Sequence, residues 1–346
     1  MDNFLVVKIF SLTTLAFVVA ILWTPILTHY LYKYKLGKSI RNAPNAPIFY
    51  SLHAKKAGTP TMGGILIWVT VLVITGLVVF LDQFIGGVFT HLNYFSRSET
   101  LLPLGAMVAA ALVGLADDLI DVRATRQERG GLRVRHRLLI YGLIALVGAY
   151  WFFFKLDWSI IHVPFFGNFE IGWWYIPFFI FVIVATGFSV NEIDGLDGLA
   201  GGTLLTAFAA YGAIAFVQER YDLATLCAVI VGALLAFLWF NINPARFFMG
   251  DTGSMSLGVT LGIIAMLTNA ALLLPIIGLL FVAESGSVII QLTSKKLLGK
   301  KIFRSTPIHH HFEAMGWPEP KIVMRFWVVS GVAAVAGLII FLIDKL

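Results

Sequence analysis

The sequence predicts an all-α polytopic membrane protein with about ten transmembrane helices, forming a single integral membrane domain over residues 1–346. Composition is the first reason: 59% of residues are hydrophobic and only 13% charged, where soluble chains carry about a quarter. Mean hydropathy is +0.87. Periodicity of length is the second, because apolar runs of the ~20 residues a helix needs to span a bilayer recur along the chain. The distribution of cations is the third.

The runs fall near 9–31, 62–81, 101–116, 138–154, 171–190, 199–217, 223–240, 255–268, 271–293 and 323–343. The first is longer than a signal-peptide core and has no small-residue cleavage site after it, so it reads as a retained span. From Thr252 to Ala283 no residue is charged. That is too long for one span, and a hairpin is expected near Thr268-Asn269. Cut in this way, the chain places only Lys8, Arg97, Lys155, Arg220 and Lys345 on one set of loops and the other 20 of its 25 cations on the alternate set. Cations mark cytoplasmic loops, so both termini are expected outside and five loops inside. A pI near 9.4 then reflects loops beside anionic lipid rather than a nucleic-acid surface. The single cysteine, Cys227, excludes an internal disulfide framework or a CxxC metal site.

The inside loops hold the unusual chemistry. One pairs Lys55-Lys56 with a hydroxyl- and glycine-rich helix entry, Ala57-Gly58-Thr59-Pro60-Thr61-Met62-Gly63-Gly64, and basic residues at a helix start suit phosphate. The next opens on Asp117-Asp118, with Asp121 one turn on. Two carboxylates at a helix C-terminus oppose its dipole, a conflict removed by a divalent cation or by the arginines that follow. A third stretch, Asn191-Glu192-Ile193-Asp194-Gly195-Leu196-Asp197-Gly198, packs three acids between two spans. If it opens a helix, Asp194 and Asp197 share a face and the glycines admit a ligand to the backbone. In Phe248-Met249-Gly250-Asp251-Thr252-Gly253-Ser254, Asp251 is either an N-cap or a ligand. The last loop carries His309-His310-His311. Three consecutive histidines cannot converge on one point of a helix, so one or two of them contacting phosphate or moving a proton is the reading they allow. Glu284, inside the ninth run, reads as a hydrogen bond between helices.

Carboxylates on three loops, cations on two and histidines on another describe a magnesium-assisted phosphoryl-transfer site at the inner membrane surface, with a lipid as one substrate. The same residues resemble the phospho-N-acetylmuramoyl-pentapeptide transferase family. The resemblance rests on Gly58 to Gly64 (GTPTMGG), Asp117-Asp118, Asn191 with Asp194 to Ala200 (DGLDGLA), Phe240-Asn241 with Pro244-Ala245, Phe248 to Ser254 (FMGDTGS) and Pro307 to Glu319 (PIHHHFEAMGWPE).

It implies ten helices, external termini, a homodimer in the bacterial cytoplasmic membrane, and an active site facing the cytoplasm. It also implies a reaction of undecaprenyl phosphate with UDP-MurNAc-pentapeptide, giving lipid I and UMP. By position it implies Asp251 as the Mg2+ ligand, with Asp117 and Asp118 as further candidates for the metal or for activating the lipid phosphate, and His309 as a catalytic group. Lys56, Asn191, Asp194, Gly195, Leu196, Asp197, Asn241, Phe248, Gln291 and His310 are implied as substrate contacts, Phe248 by stacking on uracil. Whether a carboxylate or the lipid phosphate attacks first stays open. Phe188, Asp121 and the Glu192-Ile193 pair depart from the family pattern, and Asp117-Asp118-Leu119-Ile120-Asp121 resembles the DDxxD of sister N-acetylhexosamine-1-phosphate transferases. A cation-coupled transporter is the alternative of another class; its sites would lie near the bilayer midplane with inverted repeats.

Overall fold

The computed structural model describes residues 3–37, 53, 56–123 and 132–346. Lys38, Arg41, Lys55, Arg126 and Arg129, counted above as inside cations, lie outside the described residues. Among the described residues, nine helices are long and apolar enough to cross a membrane: α1 (Asn3–Lys33), α2 (Ile65–Phe84), α3 (Leu101–Arg123), α4 (Val134–Tyr150, continued to Lys155), α5 (Tyr175–Ile193), α6 (Leu199–Val217), α7 (Tyr221–Asn241), α8 (Gly250–Leu267) and, at the end of the chain, Glu319–Asp344. The expected ninth run is not continuous. It breaks at Gly278, where the short helix Leu274–Ile277 meets α9 (Leu279–Leu298) at an 82° bend. Counted as one span, this pair makes ten. A short helix, α10 (Ile308–Ala314), precedes α11 (Glu319–Asp344).

Burial separates the helices by role. α1 is strongly apolar and mostly exposed, whereas α8 is the least apolar of the nine and almost wholly buried. A helix facing lipid satisfies its backbone internally and carries bulky apolar residues; a helix wrapped by others needs small ones. α8 supplies Gly253, Ser254, Ser256, Gly258, Thr260 and Gly262, and it packs against α3 and α5. The hairpin after α8 falls where expected, with Thr268 as C-cap and Asn269 in the left-handed region at φ 49°.

One element departs from the all-α expectation. β1 (Ile160–Val163) and β2 (Gly167–Glu170) form an antiparallel hairpin between two spans, to which β1 brings the β-branched Ile160, Ile161 and Val163. It lies at the end opposite the acidic loops. There His162 meets Asp344 and Asn269, Lys8 meets Asn93 and Asp222, and Lys345 meets Val217. Both termini therefore share that end, and the loops carrying the chemistry share the other.

Candidate active site

Close backbone packing brings the acids together. A Cβ at Gly114 would stand 2.3 Å from the Asp251 carbonyl oxygen, so only glycine lets α3 come this near to α8. Three residues further along α3, Asp117 faces the first turn of α8. Between them sits Arg137 at the start of α4. Its Nε donates to Asp117 Oδ2 at 2.8 Å, its Nη1 to Asn191 Oδ1 at 2.8 Å and its Nη2 to Asp251 Oδ2 at 2.8 Å. One planar fork thus gathers side chains from α3, α5 and α8. Asn191 also donates to Asp251 Oδ1 at 2.6 Å and to Ser254 at 2.9 Å. The expected pairing of Asp117 with an arginine is present, and it serves the site by reaching Asp251 as well. Asp251 lies in the first turn of α8, past the N-cap Met249, so the N-cap reading gives way to the paired carboxylate. Asp118 is buried beneath, accepting from Thr61 Oγ1 at 3.3 Å and Thr252 N at 3.0 Å.

A second cluster centres on Lys56. Its ammonium meets Asp197 at 2.6 Å and Glu319 at 2.5 Å, and lies 5.9 Å from the half-buried Phe248 ring. Asp197 Oδ2 further accepts from Asn243 Nδ2 and Ala245 N, each at 3.0 Å. Backbone bonds from Gly63 to Phe248 (2.7 Å) and from Gly64 to Met249 (2.8 Å) tie the GTPTMGG loop to the edge of the Arg137 cluster. Asp194 and Asp197 do not share a helix face: α5 ends at Ile193, and α6 starts at Leu199. The intervening loop turns Asp194 Oδ2 toward Gly250 N, 3.2 Å away, and Asp197 toward Lys56.

The third cluster holds the histidines. His309, wholly buried, lies 2.9 Å through Nδ1 from Glu284 Oε2 on α9. Glu284 thus bonds between helices as expected, but to a residue of the site. His310 Nδ1 lies 2.6 Å and His53 Nε2 3.1 Å from Glu313 Oε2. Burial, reinforced by the charge on His309, pushes the His310 imidazole down to about 3. For Glu313, burial acts upward, yet hydrogen bonds from His310 and His53 outweigh it and hold the carboxyl down to about 2. A neutral His310 thus donates to an ionised Glu313, which also meets His53. For His309 burial acts downward, and the carboxylates of Glu284, Glu313 and Glu192 raise it above the ordinary value.

Of the residues singled out in the sequence, Asp117, Asp118, Asn191, Asp194 and Asp251 fall in one contiguous group, and Lys56, Asp197 and Phe248 adjoin it. Gly195 rests on His309. Three others are placed as braces. Leu196 is buried. Asn241 bonds Gly198 N at 2.9 Å and Phe247 O at 2.8 Å. Gln291 uses its amide on Ile302 and Phe303, at 2.9–3.0 Å. Arg137, His53, Glu313 and Glu319 had no assigned part in the sequence reading. Arg137 is the last of six arginines that look alike in one dimension, and Glu313 and Glu319 stand inside a motif quoted for its histidines.

Asp117 and Asp251, joined by Arg137, with Asp118 buried beside them, make an acidic site whose oxygens are of the kind Mg2+ takes. With basic side chains beside it, at the surface end of a helical bundle, such a site defines a polytopic membrane enzyme of phosphate chemistry. A family model described as Glycosyl transferase family 4 matches residues 100–269, and a Phospho-N-acetylmuramoyl-pentapeptide-transferase signature matches residues 56–67. The Chloroflexus aggregans phospho-N-acetylmuramoyl-pentapeptide-transferase is 39% identical over 91% of this chain and 84% of its own length. The Geobacillus thermodenitrificans enzyme is 38% identical over 94% and 95%, and that of Bacillus anthracis 39% over the same shares. The chain belongs to the phospho-N-acetylmuramoyl-pentapeptide-transferase family.

Proposed function

We propose that the protein transfers phospho-MurNAc-pentapeptide from UDP-MurNAc-pentapeptide to undecaprenyl phosphate, releasing UMP and forming lipid I of peptidoglycan synthesis. In this reading it sits in the bacterial cytoplasmic membrane as a homodimer, with the acidic end facing the cytoplasm. The observation that carries it is the meeting of Asp117, Asn191 and Asp251 on one guanidinium beside the GTPTMGG loop. A site at helix ends, rather than at the midplane, is where a lipid phosphate and a soluble nucleotide meet; that favours the transferase over a transporter.

The reaction exchanges one phosphoanhydride for another, so its needs are in-line positioning and neutralisation of charge on the transferring phosphoryl group. Mg2+, held by Asp251 with Asp117 and Asp118, would neutralise the pyrophosphate oxygens. Asn191 fixes the Asp251 rotamer, and Arg137 bridges the Asp117 and Asp251 carboxylates. Lys56 offers a cation on the donor side, and the half-buried Phe248 ring offers a stacking face to uracil.

Purified protein supplied with Mg2+, undecaprenyl phosphate and either UDP-MurNAc-pentapeptide or UDP-GlcNAc tests this by UMP release. Release from the muramoyl donor, lost on chelation, is expected. Release from UDP-GlcNAc alone would select the sister activity, and release from neither would end both.

A further inference from the structure

The geometry points to Glu284 as a positioning residue that holds His309 so that its Nε2 stands beside Gly195 as a donor to a phosphate oxygen of the nucleotide-sugar. The inference rests on the functional reading above and assigns a part to an acid that reading leaves out.

Glu284 lies inside a long uncharged stretch and is wholly buried, as is His309. An isolated carboxylate there would be costly, and the one side chain that offsets it in direct contact is His309, 2.9 Å away. With Nδ1 fixed on Glu284, the ring has a single orientation, and Nε2 points at the loop between α5 and α6. Nε2 is buried with no hydrogen-bond partner in the protein. Buried polar atoms are almost always paired, so an orphan aimed at a site asks for a ligand atom.

Gly195 explains how a ligand reaches it. A Cβ on this residue would stand 2.2 Å from His309 Nε2, so any side chain would close the approach. Gly195 itself is partly exposed. Its neighbours in the loop are Asp194, held against Gly250 next to Asp251, and Asp197, held by Lys56. Nε2 therefore lies against the loop that joins the two clusters.

The charges around the ring favour an N–H at that atom. Glu284 faces it from α9, Glu192 from α5 and Glu313 from α10, while His310 is the adjoining base and burial opposes the charged form. The carboxylates prevail for His309, whereas burial keeps His310 neutral. The two neighbouring histidines thus divide their tasks: His310 clasps Glu313, and His309 carries the charge toward the phosphate.

Glu284→Gln keeps the shape and removes the charge. Losing a group that orients another typically costs ~10–100-fold, and the expected result is such a fall in kcat with KM for the lipid acceptor unchanged. The alkaline limb of the pH profile should also move ~1–3 units toward acid, because an opposite charge within reach of the ring has been lost. An unchanged alkaline limb, or a loss of activity accounted for wholly by loss of folded protein, would overturn the assignment. Nitrogen-15 spectra of histidine-labelled wild-type protein give a readout that needs neither the variant nor turnover: both ring nitrogens of His309 should be protonated at neutral pH, and a bare Nε2 would also overturn it. If wild type releases no UMP from the muramoyl donor, the functional reading fails, while these spectra still decide the role of Glu284.

Discussion

The two ends of the bundle use polar residues differently. At the end holding both termini, side chains finish helices: Arg220 donates to Leu267 O at 2.6 Å, Gln218 to Thr268 O at 2.7 Å and Lys8 to Asn93 O at 3.0 Å. Each satisfies a carbonyl that a helix end or loop leaves open. At the other end charged side chains face one another, through Arg137 with Asp117 and Asp251 and through Lys56 with Asp197 and Glu319. Clustering of this kind gains little stability over apolar packing. Single pairs also occur at the first end, Lys8 with Asp222 and His162 with Asp344; the sharing of one cation between two carboxylates sets the second end apart and marks where charge is kept for a substrate.

The largest break in that contrast should come from Asp251→Asn. The amide still accepts from Asn191 but turns its NH2 toward Arg137, so the midpoint should fall modestly with the protein still folded, whereas one acidic oxygen donor of the site is gone. Turnover should fall by ~10³-fold or more, the scale on which charge-stabilising groups act. UMP release beside an apparent unfolding midpoint in detergent measures both, and activity retained would remove Asp251 from the metal site.

Next is Lys56→Met. Asp197 and Glu319 have side-chain exposures of 3% and 12%, and without the ammonium two nearby buried carboxylates lose their counter-charge. Breaking a buried pair on one side costs ~3–5 kcal/mol, so the midpoint and activity should fall together. Lys56→Arg, which keeps the charge, should retain most of the stability; equal loss in both variants would show that packing rather than charge holds this corner.

The third effect is set by pH. His310 titrates far lower in the folded protein than its ordinary 6.5, at about 3. Below pH 6.5 an unfolded chain takes up a proton that the native state refuses, so stability falls with pH, by about 2 kcal/mol at pH 5 from this residue. Glu313, held at about 2, adds a second loss as pH drops below the ordinary carboxylate value of 4.5. His310→Asn, able to donate to Glu313 without titrating, should flatten the midpoint between pH 7 and pH 5. A slope as steep as wild type would assign the acid sensitivity elsewhere.

The spans and their alternation were legible because length, hydropathy and cation sidedness are one-dimensional quantities. The acidic motifs were legible because carboxylates beside hydrocarbon are costly and therefore conspicuous. The break at Gly278 was not read, although Pro275 and Gly278 are residues at which helices bend. Nor was the hairpin at Ile160–Val163, whose strands are only four residues each. Arg137 shows the deeper reason: its meaning is three partners from three helices, and no spacing along the chain encodes that. Glu284 was visible as an anomaly, but its partner lies 25 residues away on another helix.

The smallest effect should be at the end without the acidic site, and its sign sharpens the contrast. His162 pairs with Asp344 at 2.5 Å, and the histidine side chain is 30% exposed. Burial acts downward on this imidazole, but hydrogen bonds to Asp344 and Asn168 outweigh it and raise it above the ordinary value. A raised histidine contributes stability below about pH 6.5 and loses it as pH climbs through the folded value, opposite in direction to His310. Asp344→Asn keeps an acceptor for Phe165 N while removing the charge. Half-exposed pairs of this kind are worth ~0–1 kcal/mol, so the midpoint should drop slightly at pH 6, converge with wild type at alkaline pH, and leave UMP release unchanged. A large loss of turnover in this variant would mean that the two ends are coupled, and the division between a capped end and a charged one would no longer describe the molecule.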